Sequence, residues 1–132
     1  MFESIGVKTS SRIERVDITG RIADYISKQN IKSGICCLFV PHTTAGITIN
    51  ENADFTVQQD INLKLSDLII ANDNYSHLEG NSDSHIKTSV MGTSLNIIID
   101  NGRLMLGTWQ GIYFCEFDGP RNRNLYIKLI KD

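Results

Sequence analysis

Apolar positions along this chain fall mostly into short strand-like runs, interrupted by stretches with helical spacing. Phe2 to Ile18 reads as two short strands broken near Ser10 and Ser11. Thr19 is placed to N-cap a helix that begins at Gly20, with Ile22, Tyr25 and Ile26 on one face. Asn30 and Gly34 bracket its exit. Ile35 to Val40 is a continuous apolar run, which predicts a strand buried on both faces and stopped by Pro41. Ala45 to Asn50 alternates as another strand. A longer helix follows, with Asn52 as its cap, Asp54 in its first turn, and Val57, Ile61, Leu65, Leu68 and Ile69 as its stripe.

The polar stretch Ala71 to Asp83 is long for a connection inside a compact domain, which marks it as a functional or disordered loop. A short helix is expected over Ser84 to Met91, ended by Gly92. Ile97 to Ile99 and Leu104 to Leu106 flank Asn101-Gly102, a strong hairpin signal. Trp109 to Phe117 forms the next strand, Asp118-Gly119-Pro120 turns it, and Leu125 to Ile130 closes the chain. The order predicts one α+β domain over residues 1–132, with a mixed or antiparallel sheet and helices packed on it.

Charge narrows the function classes. The net charge is −2 and Lys and Arg form no run, which argues against a nucleic-acid footprint and against a basic membrane-surface helix. The N-terminus lacks the basic and apolar regions of a signal peptide, and no apolar run is long enough to span a bilayer. Cys36, Cys37 and Cys115 sit in apolar runs without C-x-x-C spacing. They are expected to be reduced and buried, in a cytoplasmic protein.

The candidate chemistry centres on three histidines. His42 follows a strand directly, His77 lies in the polar loop, and His85 lies near the start of a short helix. Three neutral imidazoles can bind zinc and leave one position open for water or substrate. Spacing alone leaves this reading beside the plainer one of solvated or capping histidines. Glu51 is a candidate general base or partner for a histidine N–H, or equally a carboxylate at a helix start. Asp83 could ligate or orient His85, or cap the helix. Thr43 and Thr44 offer hydroxyls to a phosphate, although no G-x-x-x-x-G-K run occurs. Arg121 and Arg123 follow a tight turn, where an arginine could grip a phosphate, face solvent or meet another subunit. Trp109 reads as a core or interface residue rather than a ligand platform.

Taken together, several stretches resemble one family. Ser94, Ile97, Ile99, Gly102, Gly107-Thr108-Trp109-Gln110 and Ile112 are similar to the signature of the YjbQ-like family, often named for secondary thiamine-phosphate synthase. Pro41-His42-Thr43-Thr44-Ala45 with Thr48, Asn50 and Glu51 resembles another block. So do Tyr75, His77 and Gly80, then Ser84-His85-Ile86-Lys87 to Met91-Gly92, and Glu116-Phe117-Asp118-Gly119-Pro120-Arg121. Ser84 stands where Ala is usual in the family.

The resemblance implies a homotrimer of α+β subunits with a divalent metal, zinc by its donor set, held by His42, His77 and His85 near a subunit boundary. It implies an enzyme that joins a pyrimidine diphosphate to a thiazole phosphate, with Lys87, Arg121 and the metal stabilising the departing diphosphate. No acidic cluster suited to magnesium diphosphate is evident. Two alternatives stand beside it: a metal-dependent hydrolase or lyase of a small phosphorylated metabolite, with Glu51 as base and His42 essential, and a non-enzymatic trimeric metal- or metabolite-binding protein.

Overall fold

Glu3–Lys8 (β1) and Glu14–Asp17 (β2) open the chain in a computed structural model that describes residues 2–132. The Glu14 carboxylate accepts the Ser10 and Ser11 N–H groups at 2.7 and 3.2 Å, which closes the expected break. The first helix, α1, is Thr19–Ser27. Thr19 lies inside it and does not cap it. Asp17 Oδ1 accepts both the Thr19 N–H and its hydroxyl, while that hydroxyl accepts the Ile112 N–H at 2.8 Å. The helix start is thereby tied to a strand distant in sequence.

Gly34–Phe39 (β3) departs from the expected double burial: Cys36 and Leu38 point inward, but Ile35 and Phe39 are 41% and 48% exposed. The apolar run gave no hint of two environments, because both faces carry apolar side chains. Ala45–Glu51 is β4 and Phe55–Leu68 is α2. Asp54, not Asn52, caps α2, accepting the Thr56 N–H at 3.0 Å. Its stripe is only half-buried and Leu68 is exposed. The fully buried α2 residue is the polar Gln58, which donates to the Glu51 carbonyl and accepts from Arg15.

Ser82–Met91 (α3) starts two residues earlier than expected and stops at Gly92, whose φ of +94° suits glycine. The remaining strands are Ser94–Asp100 (β5), Arg103–Leu104 (β6), Gln110–Glu116 (β7) and Asn122–Lys131 (β8). Asn101 and Gly102 both take positive φ, as the β5–β6 hairpin requires. Trp109 sits in the turn before β7, 63% exposed, rather than within the strand or its core.

Five strands form one sheet in the order β1-β8-β3-β5-β6, and three form another in the order β2-β7-β4. Every pairing is antiparallel, which decides between the two expected sheet types. The main core includes Ile47, Ile112 and Phe114 of the smaller sheet, Leu38, Ile97, Leu125 and Ile127 of the larger, and Ile22 and Ile26 of α1. All three cysteines are free. Cys36 and Cys115 are buried, and burial pushes their thiols up to about 12 and about 11, far from reactive thiolates. Cys37 is only half-buried, on the open side of β3. Among the described residues no helix is long and apolar enough to cross a membrane.

Candidate functional site

The chain leaves the larger sheet at Phe39 and enters the smaller one at Ala45, and the crossing segment carries Pro41, His42, Thr43 and Thr44. Proline cannot extend the ladder, so β3 ends with Phe39 opposite Tyr126. The Asn124 N–H beyond that point on β8 is taken by a side chain: His42 Nε2 accepts it at 2.9 Å. Burial first, then the nearby Arg123 charge, holds His42 below its ordinary 6.5, so the ring is neutral at pH 7. With Nε2 accepting, the ring proton lies on Nδ1.

α3 delivers His85, and the loop before it delivers His77. Their rings meet edge to face with centroids 5.4 Å apart, and His77 Nε2 lies 3.6 Å from Glu79 Oε2. His42 and His85 line a common open cleft of about 580 Å³, together with Thr43, Thr44, Arg121 and Arg123. Phe39, Asn81 and Asp118 complete much of its wall. Two smaller cavities adjoin: one of about 360 Å³ beside Tyr75 and His77, one of about 410 Å³ beside Thr88. His85 borders all three.

Within one chain the three histidines do not meet as a ligand set. Among the described residues, no group of three His, Cys, Asp or Glu side chains is placed to hold a metal ion. His42 already spends its Nε2 lone pair on Asn124 and carries its proton on the other nitrogen, leaving no lone pair for a metal. His77 and His85 are close enough for both rings to approach one ion.

Other expected participants lie elsewhere. Glu51 ends β4 opposite Gln110, six residues beyond Ala45 and so about 20 Å along the strand, and it is not part of the cleft wall. Lys87 is buried, with Nζ 3.5 Å from Asp83 Oδ2, and also stands off the cleft. Asp83 neither caps α3 nor touches His85. It pairs with Lys87 and takes both Arg12 Nη atoms at 3.2 and 2.9 Å. Burial pushes Asp83 upward, but the Arg12 hydrogen bonds and the two cations outweigh it and hold its pKa below 3.8. Arg121 lies at the cleft rim, half exposed, tied to the Asp118 carbonyl and carboxylate at 2.8 and 3.1 Å.

The site's buried framework was the least visible in the sequence. Glu116 is fully buried and accepts from Arg123 Nε at 2.9 Å, from Arg123 Nη2, and from the Thr9 hydroxyl at 2.7 Å. Arg123 Nη2 also reaches Thr44 Oγ1 at 2.8 Å. Burial raises the Glu116 pKa, but the Arg123 and Thr9 hydrogen bonds prevail and bring it below 4.5. One signal was present: Arg123 shares strand parity with Leu125 and Ile127, so an inward arginine demanded a carboxylate partner.

The fold and the site define a small antiparallel α+β protein with a ligand-sized cleft lined by histidine, threonine and arginine. The chain belongs to the YjbQ-like UPF0047 family, whose model matches residues 3–132. It is 59% identical over 126 residues to a UPF0047 protein of Methanocaldococcus jannaschii, covering 96% of this chain and 91% of that one. It is 47% identical over 131 residues to UPF0047 protein YugU of Bacillus subtilis, covering 98% and 99%. A crystal structure of a conserved YjbQ/UPF0047 protein from Clostridium acetobutylicum superposes with a TM-score of 0.95 at 49% identity, covering 97% and 99% of the two chains. A YbjQ-like protein from Sulfolobus solfataricus also gives 0.95, at 32% identity over 100% and 97%.

Proposed function

We propose that the chain is a small metabolic enzyme that binds a phosphorylated metabolite in the His42–His85 cleft. The observation that supports this is the convergence of two imidazoles, the Thr43 and Thr44 hydroxyls and two arginines on one open cavity. These groups offer hydrogen-bond donors, positive charge and a proton carrier, which is what a phosphate ester requires. The family resemblance supplies the particular reaction to assay, formation of thiamine phosphate from a pyrimidine diphosphate and a thiazole phosphate.

A divalent ion, zinc by its donors, belongs to this reading through His77 and His85. His42 would join them only by releasing Asn124. Reduced, free cysteines suit a cytoplasmic setting for the protein. The reading also takes the protein as a homotrimer. Support comes from the uncovered face of β8, β3 and β5, where Ile130, Ile35 and Ile98 lie side by side in register and Phe39 stacks near Tyr126. Phe39 belongs to both that face and the cleft, so a neighbouring subunit there would deepen the site.

A second reading, a non-enzymatic metabolite-binding module, draws support from the remoteness of Glu51 and from the engagement of His42. Both take away a base that the sequence suggested, leaving His85 and Glu79 as the candidates that border the cleft. The test is bound metal per chain by elemental analysis, with the thiamine-phosphate assay, on wild type, His85→Ala and the His77→Ala, His85→Ala double variant. About one zinc per chain, lost in the double variant, and turnover lost in His85→Ala are expected. Absence of turnover in the metal-loaded wild type would sink the enzyme reading, and turnover that survives His85→Ala in a folded protein would take His85 out of the catalytic site.

A further inference from the structure

The donors of Arg123 do not all have partners. A guanidinium carries five N–H groups. In Arg123 the Nε–H goes to Glu116, and Nη2 serves Glu116 and Thr44. Nη1 makes no hydrogen bond among the described residues, although Arg123 is only 6% exposed and forms part of the cleft wall. Burying a guanidinium is costly, and a pair that served packing alone could be replaced by apolar side chains without loss. Glu116 offsets that cost and fixes the plane of the group, leaving one edge of the fork free.

Asn81, on the same cleft, poses the complementary need. It is 9% exposed, its Nδ2 donates to Asp118 Oδ2 at 2.9 Å, and its buried Oδ1 has no partner. Arg123 Nη1 is thus an unpaired donor that is not shut away from solvent, and Asn81 Oδ1 is a buried acceptor without a donor. Arg121 is a poorer anchor, because Asp118 already holds it and water screens its exposed head.

We infer that Arg123, through its free Nη1 edge, anchors an oxyanion of the ligand, and that Asn81 Oδ1 receives a hydroxyl or amine hydrogen from the same molecule. The inference rests on the cleft being a ligand site, as proposed above, and names the ligand class: a small hydroxylated or amine-bearing phosphate monoester or carboxylate. Arg123→Lys keeps a cation for Glu116, but a single ammonium at that salt bridge lacks the second, outward-facing edge.

The test is calorimetric titration of chelator-treated protein with inorganic phosphate, glycerol 3-phosphate and lactate. Wild type is expected to bind at least one of these oxyanions. Preference for glycerol 3-phosphate assigns a phosphate ligand, and preference for lactate a carboxylate. Arg123→Lys is expected to weaken binding of the preferred anion roughly tenfold or more, and Arg121→Ala to weaken it by a clearly smaller factor. Asn81→Ala should weaken the hydroxylated ligand and leave inorganic phosphate unchanged. Binding retained in Arg123→Lys and lost in Arg121→Ala overturns the inference, as does absence of oxyanion binding in wild type. Should Arg123→Lys fail to fold, the side-chain N–H resonances of wild type decide: a phosphate-induced shift at Arg123 supports the anchor, and one confined to Arg121 overturns it. Oxyanion binding without turnover in the metal-loaded protein would remove the enzyme reading and leave this one standing.

Discussion

Two carboxylates, Asp83 and Glu116, are fully buried, and both stay ionised because each faces an arginine. Their folded pKa values lie below the ordinary 3.8 and 4.5. A carboxyl that binds protons more weakly when folded stabilises the native state above its unfolded pKa and loses that contribution as pH falls through the folded one. The contribution is therefore complete above about pH 5 and drains below 4.5 and 3.8. Urea midpoints should begin to fall below about pH 6.5, because folded His42 binds protons more weakly than the unfolded ring, and fall more steeply below about pH 4.5 as the two carboxylates follow. Glu116→Ala should cost about 3 kcal/mol at pH 7, because it strands a buried guanidinium. A midpoint that holds steady down to about pH 3 would show that neither ion pair stabilises the fold through its ionised carboxylate. Lys87 and Glu51 show that residue type does not report placement: one pairs with Asp83, the other stands at the far end of its strand.

Among the elements, β3 and β8 are closely fitted at Gly34. Gly34 has a φ of +151°, and a Cβ there would sit 2.1 Å from the Ile130 carbonyl oxygen of β8. Gly34→Ala must push two paired backbones apart, and a loss of about 3 kcal/mol is expected. Gly6, in β1, has nothing within 4 Å of its Cβ position, so Gly6→Ala should change stability by less than about 0.5 kcal/mol. Denaturant curves with equal slopes and separated midpoints would bear this out, and coincident midpoints would contradict it. α2 is the opposite case. Its apolar stripe was evident in the sequence, yet only Leu65 of it packs against Tyr113, Cys115 and Phe117, while Gln58 and Asn62 hold Arg15 of β2. Periodicity reveals that a helix has an apolar side but not how closely anything packs against it.

For the molecule as a whole, the trimer proposed above would be built on the uncovered face of the larger sheet. Ile98 is 66% exposed beside Ile35 and Ile130, a patch that monomeric proteins rarely leave bare. Light scattering should give the mass of three chains for wild type. Ile98→Glu, which places a charge on that face without touching the core, should give one chain with unchanged far-ultraviolet dichroism. An Ile98→Glu protein that keeps the wild-type mass would place the contact on another surface.

The sequence by itself determined the element order, the β5–β6 turn at Asn101-Gly102, the inward faces of α1 and the segments that carry the histidines. These depend on local dihedral preference and on short-range periodicity, which a linear chain displays. It also carried the family pattern. The tertiary structure alone decided which polar groups meet. His42 binds a strand 82 residues away, Thr9 and Arg123 converge on Glu116, and Lys87 turns from the cleft to Asp83. Such partnerships join residues far apart in the chain through sheet register, and register is fixed by the summed burial of both faces rather than by the polar residues themselves. The double-sided appearance of β3 has the same origin: an apolar run records that both faces avoid water, while the second sheet and α1 cover only one of them.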